Sequence, residues 1–470
     1  MTGRKASGLT AVALTAGALT AGGLLAGGAA ASTERLAASQ APRGPVSAHP
    51  VTTTPHLAPT DKPFQQIRQI VQCKGTMFAV GTFTTIEQGR KRYTRHNVVS
   101  FSARPPYTVS SWAPVINGEV NSITFSGGKC ADAYIGGSFT KINGRAARNI
   151  AELSTSTGMV VRTFARSADK TVNTVLGIKA PGGGPHILAG GYYTSINGST
   201  ANPYMTSLSP VTGKDDGYLH LRIHGHYTFK GVAPNRTRVY NQALSHGGKL
   251  DLVMGDFTSA GAANRQQIFM LTLGPSRGRV TRWTSPEFDG GDGNLPGGYP
   301  YQCSFDTAFY VRSAAWSPDD STIYLADTGY HPWNLPSTGP RSGLCDAASA
   351  WPATRRPVLH KWINYTGCDS LYSVAADAST VYFAGHERWS ENPDGCDMAG
   401  PGAIPAPGIE GLSPQTGALT FNPTRARGIG ADDMIITPEG LWIASDNWEN
   451  SNMCGRVKDL AGICLLPYRS

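Results

Sequence analysis

Residues 134–144 read YIGGSFTKING and residues 188–198 read LAGGYYTSING. In each copy a short apolar run meets a Gly pair, an aromatic residue follows, and Asn-Gly ends the stretch. Asn-Gly is a strong signal for a tight turn between antiparallel strands. Aligning on the second glycine extends the series to "VGTFTTI" at Gly81, "GGSFTKI" at Gly137, "GGYYTSI" at Gly191 and "MGDFTSA" at Gly255. Weaker copies follow as "LADTGY" at Asp327, "FAGHER" at Gly385 and "IASDNW" at Ser445, with intervals of 56, 54, 64, 72, 58 and 60 residues. Strand-like runs precede each copy, as in "VNSITFSGGK" (120–129), and most copies are followed by further runs, as in "RNIAELSTSTG" (148–158). Four short strands per period of about 60 residues is the signature of a propeller blade. The expected fold is therefore all-β: a seven-bladed β-propeller of four-stranded antiparallel blades. Rejecting the last, weak copy leaves six blades as the alternative.

The pattern GGxFTxxNGxxxxxIAxLxxxTG over 136–158 resembles the delta-sixty-type propeller repeats of secreted actinobacterial proteins. Fungal cortical-polarity marker proteins carry similar repeats. The resemblance spans about residues 65–283, and "WSPDDSTIYLAD" (316–327) looks like the blade motif of periplasmic Tol-system propellers. It implies a propeller fold and secretion, and it brings no catalytic residues to carry over.

Arg4 and Lys5, a Gly-, Ala-, Leu- and Thr-rich run from Gly8, and Ala29-Ala30-Ala31 read as a signal peptide over 1–31. Residues 32–62, rich in Pro, Ala, Ser and Thr, read as a tether, and 63–470 as a single propeller domain. No later stretch approaches the roughly 18 apolar residues of a membrane span. The formal charge of +9 becomes +7 without Arg4 and Lys5 and is spread thinly, with no basic run. That argues against nucleic acid and suits acidic wall polymers.

The last period shows only three strands, ending in "GICLLPYRS" (462–470). A bare sheet edge is a liability, so part of 48–60 ("AHPVTTTPHLAPT") is expected to supply a closing strand. Antiparallel order puts the loops after strand two and the links between blades on one face. The long insertions at 284–308, 328–356 and 386–407 all fall there. All eight cysteines lie in the exported part, and an even number outside the cytoplasm favours disulfides. Placement pairs Cys303 with Cys345, Cys368 with Cys396 and Cys454 with Cys464, and elimination pairs Cys73 with Cys130. Such bridges either hold a working surface in shape or simply stabilise long loops.

Just before each first-strand apolar run stand Arg68, Asn121, Asn173, Asn241, Arg312, Tyr372 and Asp433. In a propeller these ring the mouth of the central channel, where converging polar groups make a pocket for a small polar ligand, sugar or ion. The competing reading is that Asn at a loop-to-strand junction bonds its own backbone. Asp327, Trp333, His386, Trp389 and Trp448 belong to the decorated face, where exposed rings can stack on sugars or can pack under their own loops. Glu387 and Asp446 lie beside them. Asp289, Asp292 and Asn294 in "DGGDGN" offer oxygen ligands for calcium without the EF-hand pattern. His220, His224 and His226 cluster in "HLRIHGHY" with no fourth metal ligand evident. Asn197, Asn235 and Asn364 match the short glycosylation motif.

No nucleophile elbow, HExxH or dinucleotide loop is present. The expectation is a secreted, monomeric binding or interaction module without assigned catalytic residues. Its partner is an extracellular protein or a cell-wall polysaccharide. The alternative is a secreted propeller enzyme acting on polysaccharide or as a quinoprotein-like dehydrogenase.

Overall fold

In the computed structural model, residues 44–58, 65–226, 236–288, 310–329, 344–423, 428, 430–448, 453–455, 457–458 and 460–469 are described. They belong to one unit, Ser39–Ser470. The signal peptide, most of the tether, Cys303, Trp333, Asn235 and the Asp289, Asp292 and Asn294 loop lie outside the described residues. So do positions 59–60 of the expected closing segment.

Second strands such as Thr76–Thr82 and Asp132–Ser138 are buried on both faces between neighbouring sheets, and the described chain is all-β and antiparallel, without an α-helix. Its regular sheets begin with the strands Gln66–Cys73, Glu119–Phe125, Val172–Lys179, Arg238–Leu244, Tyr310–Trp316, Leu371–Ala376 and Asp433–Thr437. In each, the first strand pairs with a second and the second with a third; in those starting at Arg238, Tyr310 and Leu371 a fourth strand follows. In the first three sheets single bridges, Phe101 to Val109, Leu153 to Val160 and Leu208 to Asp215, stand where the fourth strand would run. Each first strand contacts that of the next sheet, and Asp433–Thr437 contacts Gln66–Cys73. This is the organisation of a β-propeller.

The repeated motif builds these sheets. Its aromatic residue is buried in the first four (Phe83, Phe139, Tyr193, Phe257), as are Ile86, Ile142, Ile196 and Ala260 three residues later. Asn143 and Asn197 adopt φ of 50° and 49°, followed by Gly144 and Gly198 at 75° and 86°. Each Asn also stitches the turn to the chain around it. Asn143 Oδ1 accepts from the Val115 N–H at 2.8 Å while its amide donates to the Gly158 carbonyl at 2.9 Å. Asn197 does the same with Ser167 and Gly213.

The second glycine has a steric cause. A Cβ at Gly81, Gly137, Gly191, Gly255 or Gly385 would lie 2.0, 2.1, 2.3, 2.2 or 2.1 Å from the carbonyl oxygen of Gln66, Glu119, Thr171, Arg238 or Ser370, at the start of the first strand or just before it. That oxygen is brought close by a bulge in the first strand. Register slips by one residue between Ile67 and Gln69, Val120 and Ser122, Val172 and Thr174, Val239 and Asn241, Val311 and Ser313, and Leu371 and Ser373. A bulge leaves one residue unpaired and re-aims its side chain.

The N-terminal segment runs along the last sheet. Val46 bridges Tyr468, the Ser47 N–H donates to the Pro467 carbonyl at 2.7 Å, and the Val51 N–H to Leu465 at 2.9 Å. Leu57 donates to the Ala461 carbonyl at 2.9 Å, while His56–Leu57 pairs with Ile86 and Glu87 beside the first sheet. Val46 and Leu57 are fully buried. Trp442 of the last sheet packs on Phe101 and Tyr107, with ring centroids 5.6 and 5.4 Å apart.

Cys73–Cys130, Cys368–Cys396 and Cys454–Cys464 are bridged, with Cα atoms 5.9, 4.9 and 5.6 Å apart. Cys345 is also disulfide-bonded. Such bonds persist in an oxidising compartment. No helix among the described residues is long and apolar enough to cross a membrane.

Candidate functional site

The bulges decide which side chains face the axis. The unpaired residues are Arg68, Asn121, Asn173, Tyr240, Arg312 and Tyr372. In the first two sheets the residue after the bulge has a different job, capping a backbone N–H of the next sheet, and Asp433 does the same from the last. Gln69 Oε1 accepts from Ile123 at 2.6 Å, Ser122 Oγ from Val175 at 3.1 Å, and Asp433 Oδ2 from Ile70 at 2.9 Å. By this register the last sheet's axial residue is Asp432, and that of the fourth is Tyr240. Two of the sequence-derived positions, Asn241 and Asp433, are therefore each one residue too late.

All seven sequence-derived positions nevertheless line one cavity of about 410 Å³, together with Glu119, Ser138, Thr171, Tyr192, Arg238 and Asp432. Its wall has two unlike halves. On one side Arg68 donates to Glu119 at 2.8 Å and to Asp432 at 3.0 Å. Burial works against the Arg68 charge, but Asp432 and Glu119 outweigh it and hold its pKa above the usual value. Burial raises Asp432, and Arg68 and Arg312 only partly reverse this. Asp433 is pushed to about 7 by burial, against the N–H bonds of Ile70 and Met434.

On the other side Tyr192, Arg238, Tyr240, Arg312 and Tyr372 follow one another as a ladder. The successive guanidinium-to-ring distances are 4.9, 4.4, 5.2 and 5.4 Å. Arg238 also donates to the Tyr240 hydroxyl at 2.6 Å. The asparagines are partly engaged: Asn173 donates to the Val239 carbonyl at 2.7 Å, and Asn121 to that of Val172 at 3.4 Å. The carbonyls that Asn121 and Asn173 bond belong to the next sheet and not to their own strand, so these two do not bond their own backbone as the competing reading had it.

The remaining positions are dispersed. Asp327 is fully enclosed, and burial raises its pKa well above the ordinary carboxylate range, so it is not a surface group. His386 stands against Tyr372, with Nδ1 3.3 Å from the hydroxyl, at the edge of the channel. Trp389 is partly buried in a short pairing with Pro405, whereas Trp448 is exposed. Glu387 and Asp446 are buried, Asp446 accepting from Gly430 and Trp448. No group of three metal-ligating side chains occurs among the described residues, so His220, His224 and His226 do not form a metal site there. Asn364 is buried with its amide donating to both Ser390 and Gly417, which closes it to a glycan, whereas the half-buried Asn197 donates to Gly213.

Sequence reasoning missed Arg238, Tyr192, Tyr240 and Asp432. Tyr192 directly follows the motif's second glycine, and the equivalent Ser138 also lines the cavity. That position carried a usable signal.

No protein-family model matches the chain, and no curated protein sequence matches it. Among solved structures it is similar to the WD40 β-propeller domain of Doa1 (TM-score 0.42, 12% identity, covering 84% of this chain and 94% of that one). It is also similar to the computationally designed Ika8 protein (TM-score 0.42, 8% identity, covering 87% and 98%).

Proposed function

We propose that the protein is a secreted seven-bladed β-propeller, with residues 46–57 completing the last blade. It acts as an extracellular binding module whose ligand enters the channel mouth. The observation that carries this reading is the convergence of axial side chains from all seven sheets on one polar cavity. Its polar groups are few, fixed by bulges and mounted on strands, which is the pattern of a preorganised ligand site. Disulfides on the loops fit an exported protein and support the signal-peptide reading. The partner class is an extracellular protein or wall polysaccharide, met by a monomer.

A catalytic role is less well supported. The carboxylates on the cavity wall are committed: Glu119 and Asp432 to Arg68, and Asp433 to the Ile70 N–H.

A thermal-shift and glycan-array screen of the purified protein tests the reading. A bound glycan should raise the melting temperature, and the Asn173→Ala/Tyr240→Ala double variant should abolish that rise while its circular dichroism stays unchanged. Undiminished binding by a folded double variant would remove the channel mouth as the site.

A further inference from the structure

Among the described residues the two arginines of the ladder make no ion pair, although the Arg312 charge acts on Asp432. Arg68 is balanced by Glu119 and Asp432, but among the described residues neither Arg238 nor Arg312 has a carboxylate within 4.0 Å. The Nε of Arg238 is buried and without a hydrogen-bond acceptor. A buried donor left unsatisfied costs free energy. Flanking rings engage both guanidiniums: Tyr192 and Tyr240 lie near Arg238, and Tyr240 and Tyr372 near Arg312. Stacking occupies the face of a guanidinium and leaves its edge N–H groups to bind an oxyanion bidentately.

The cavity does not end at the ladder. A second depression shares Ser138, Thr171 and Tyr192 with it and continues past Arg148, Lys170 and Arg236. Its one carboxylate, the exposed Asp169, is engaged by the chain's own groups, accepting from the Thr194 hydroxyl at 2.6 Å and from the Thr194 and Ser195 N–H groups at 2.9 and 3.1 Å. A line of cationic groups therefore leads outward from the ladder, with hydroxyl and amide side chains beside it (Asn121, Asn173, Ser138, Thr171).

We infer that the channel mouth and this adjoining groove bind a short, hydroxyl-rich chain bearing oxyanion groups, its terminal oxyanion held by Arg238 and Arg312. This rests on the channel-mouth reading above and names its ligand class. The oxyanion is a carboxylate, as on a uronic acid oligomer, or a phosphate, as on a polyol phosphate oligomer; the chemistry of capture is shared.

Titration calorimetry on the full protein tests it with trigalacturonate, its fully methyl-esterified counterpart and a glycerol phosphate trimer. One acidic probe or both should bind, and which of them does identifies the source. The neutral ester should bind at least about tenfold more weakly, as expected for losing a hydrogen bond to a charged group. Affinity should fall as salt rises from about 50 to 200 mM. Arg312→Gln should weaken acidic binding about tenfold or more. Should that variant fail to fold, Arg236→Ala, in the groove, should weaken the trimer while leaving monomeric galacturonate unaffected. An ester that binds as tightly as the acid would overturn the oxyanion inference and leave the channel-mouth reading standing. Retention of acidic binding by folded Arg312→Gln, or an Arg236→Ala variant with unchanged trimer affinity, would also overturn it. Absence of binding by all three probes, together with a silent glycan array, would remove both.

Discussion

Arg68 and Asp432 form an ion pair at 3.0 Å across 364 residues of chain, between the first strand of the first sheet and the start of the last. The pair marks the seam where the two ends of the folded region meet. Glu119 of the second sheet holds the same guanidinium at 2.8 Å. Removing the cation leaves a largely buried carboxylate facing the channel. Because the Arg68 side chain is 35% exposed, solvent softens that penalty. Arg68→Met should therefore destabilise by about 1–3 kcal/mol, less than the loss of a fully buried partner. Adding Asp432→Asn should recover part of it. Urea unfolding of the two single variants and the double variant measures the coupling; strictly additive losses would show that the pair is not coupled.

Loss of the N-terminal segment should be more damaging. Truncation through residue 62 strips the hydrogen bonds to Pro467, Leu465 and Ala461 and uncovers the core around Val46 and Leu57. Burying a Val or Leu side chain contributes about 1.5–3 kcal/mol, so the melting temperature should fall by several degrees and the last sheet should exchange its amides first. A truncated chain with the melting point of the intact one would show that the segment is not a latch.

The second glycine of the motif should tolerate no side chain. At Gly191 a Cβ would sit 2.3 Å from the Thr171 carbonyl oxygen, in backbone that cannot yield without undoing the bulge. Gly191→Ala should cost about 3 kcal/mol or more, in the range of severe core disruptions. Gly184→Ala, where nothing lies within 4 Å, is the control and should fall within about 0.5 kcal/mol. Equal effects of the two would refute the steric account.

Stability should decline toward alkaline pH. Burial raises Asp346 and Asp433 to about 7 and Glu410 to about 8. With folded pKa values above the unfolded ones, the folded state holds the extra protons between about pH 4.5 and 8, so stability falls as pH rises through that window. Glu410→Gln removes one such group. It should match the unmodified protein near pH 5 and melt higher near pH 8.5. A difference that does not change with pH would rule out Glu410 as a source of the trend.

The motif's spacing carried much of this structure in plain view. Its glycine, aromatic and Asn-Gly positions each do one local job, so strand order, turns and three of the cysteine pairings could be read along the chain. The axial residues were nearly legible too, because each stands next to a strand boundary. Tyr240 and Asp432 were the exceptions. A period-2 pattern shows which face a residue takes but not where a bulge inserts one more, and a single insertion moves the axial position by one.

The local sequence determined the repeated strand-turn unit, because the backbone sterics of Gly and the turn preference of Asn-Gly act within a few residues. Only the tertiary structure decided the character of the channel. Arg68 is neutralised by residues from two other sheets, whereas Arg238 and Arg312, identical in chemistry, stand among tyrosines from three. Which guanidinium is held by carboxylates and which by rings depends on distances between strands far apart in the chain. Those distances are set by packing of whole sheets and leave no mark on any single segment.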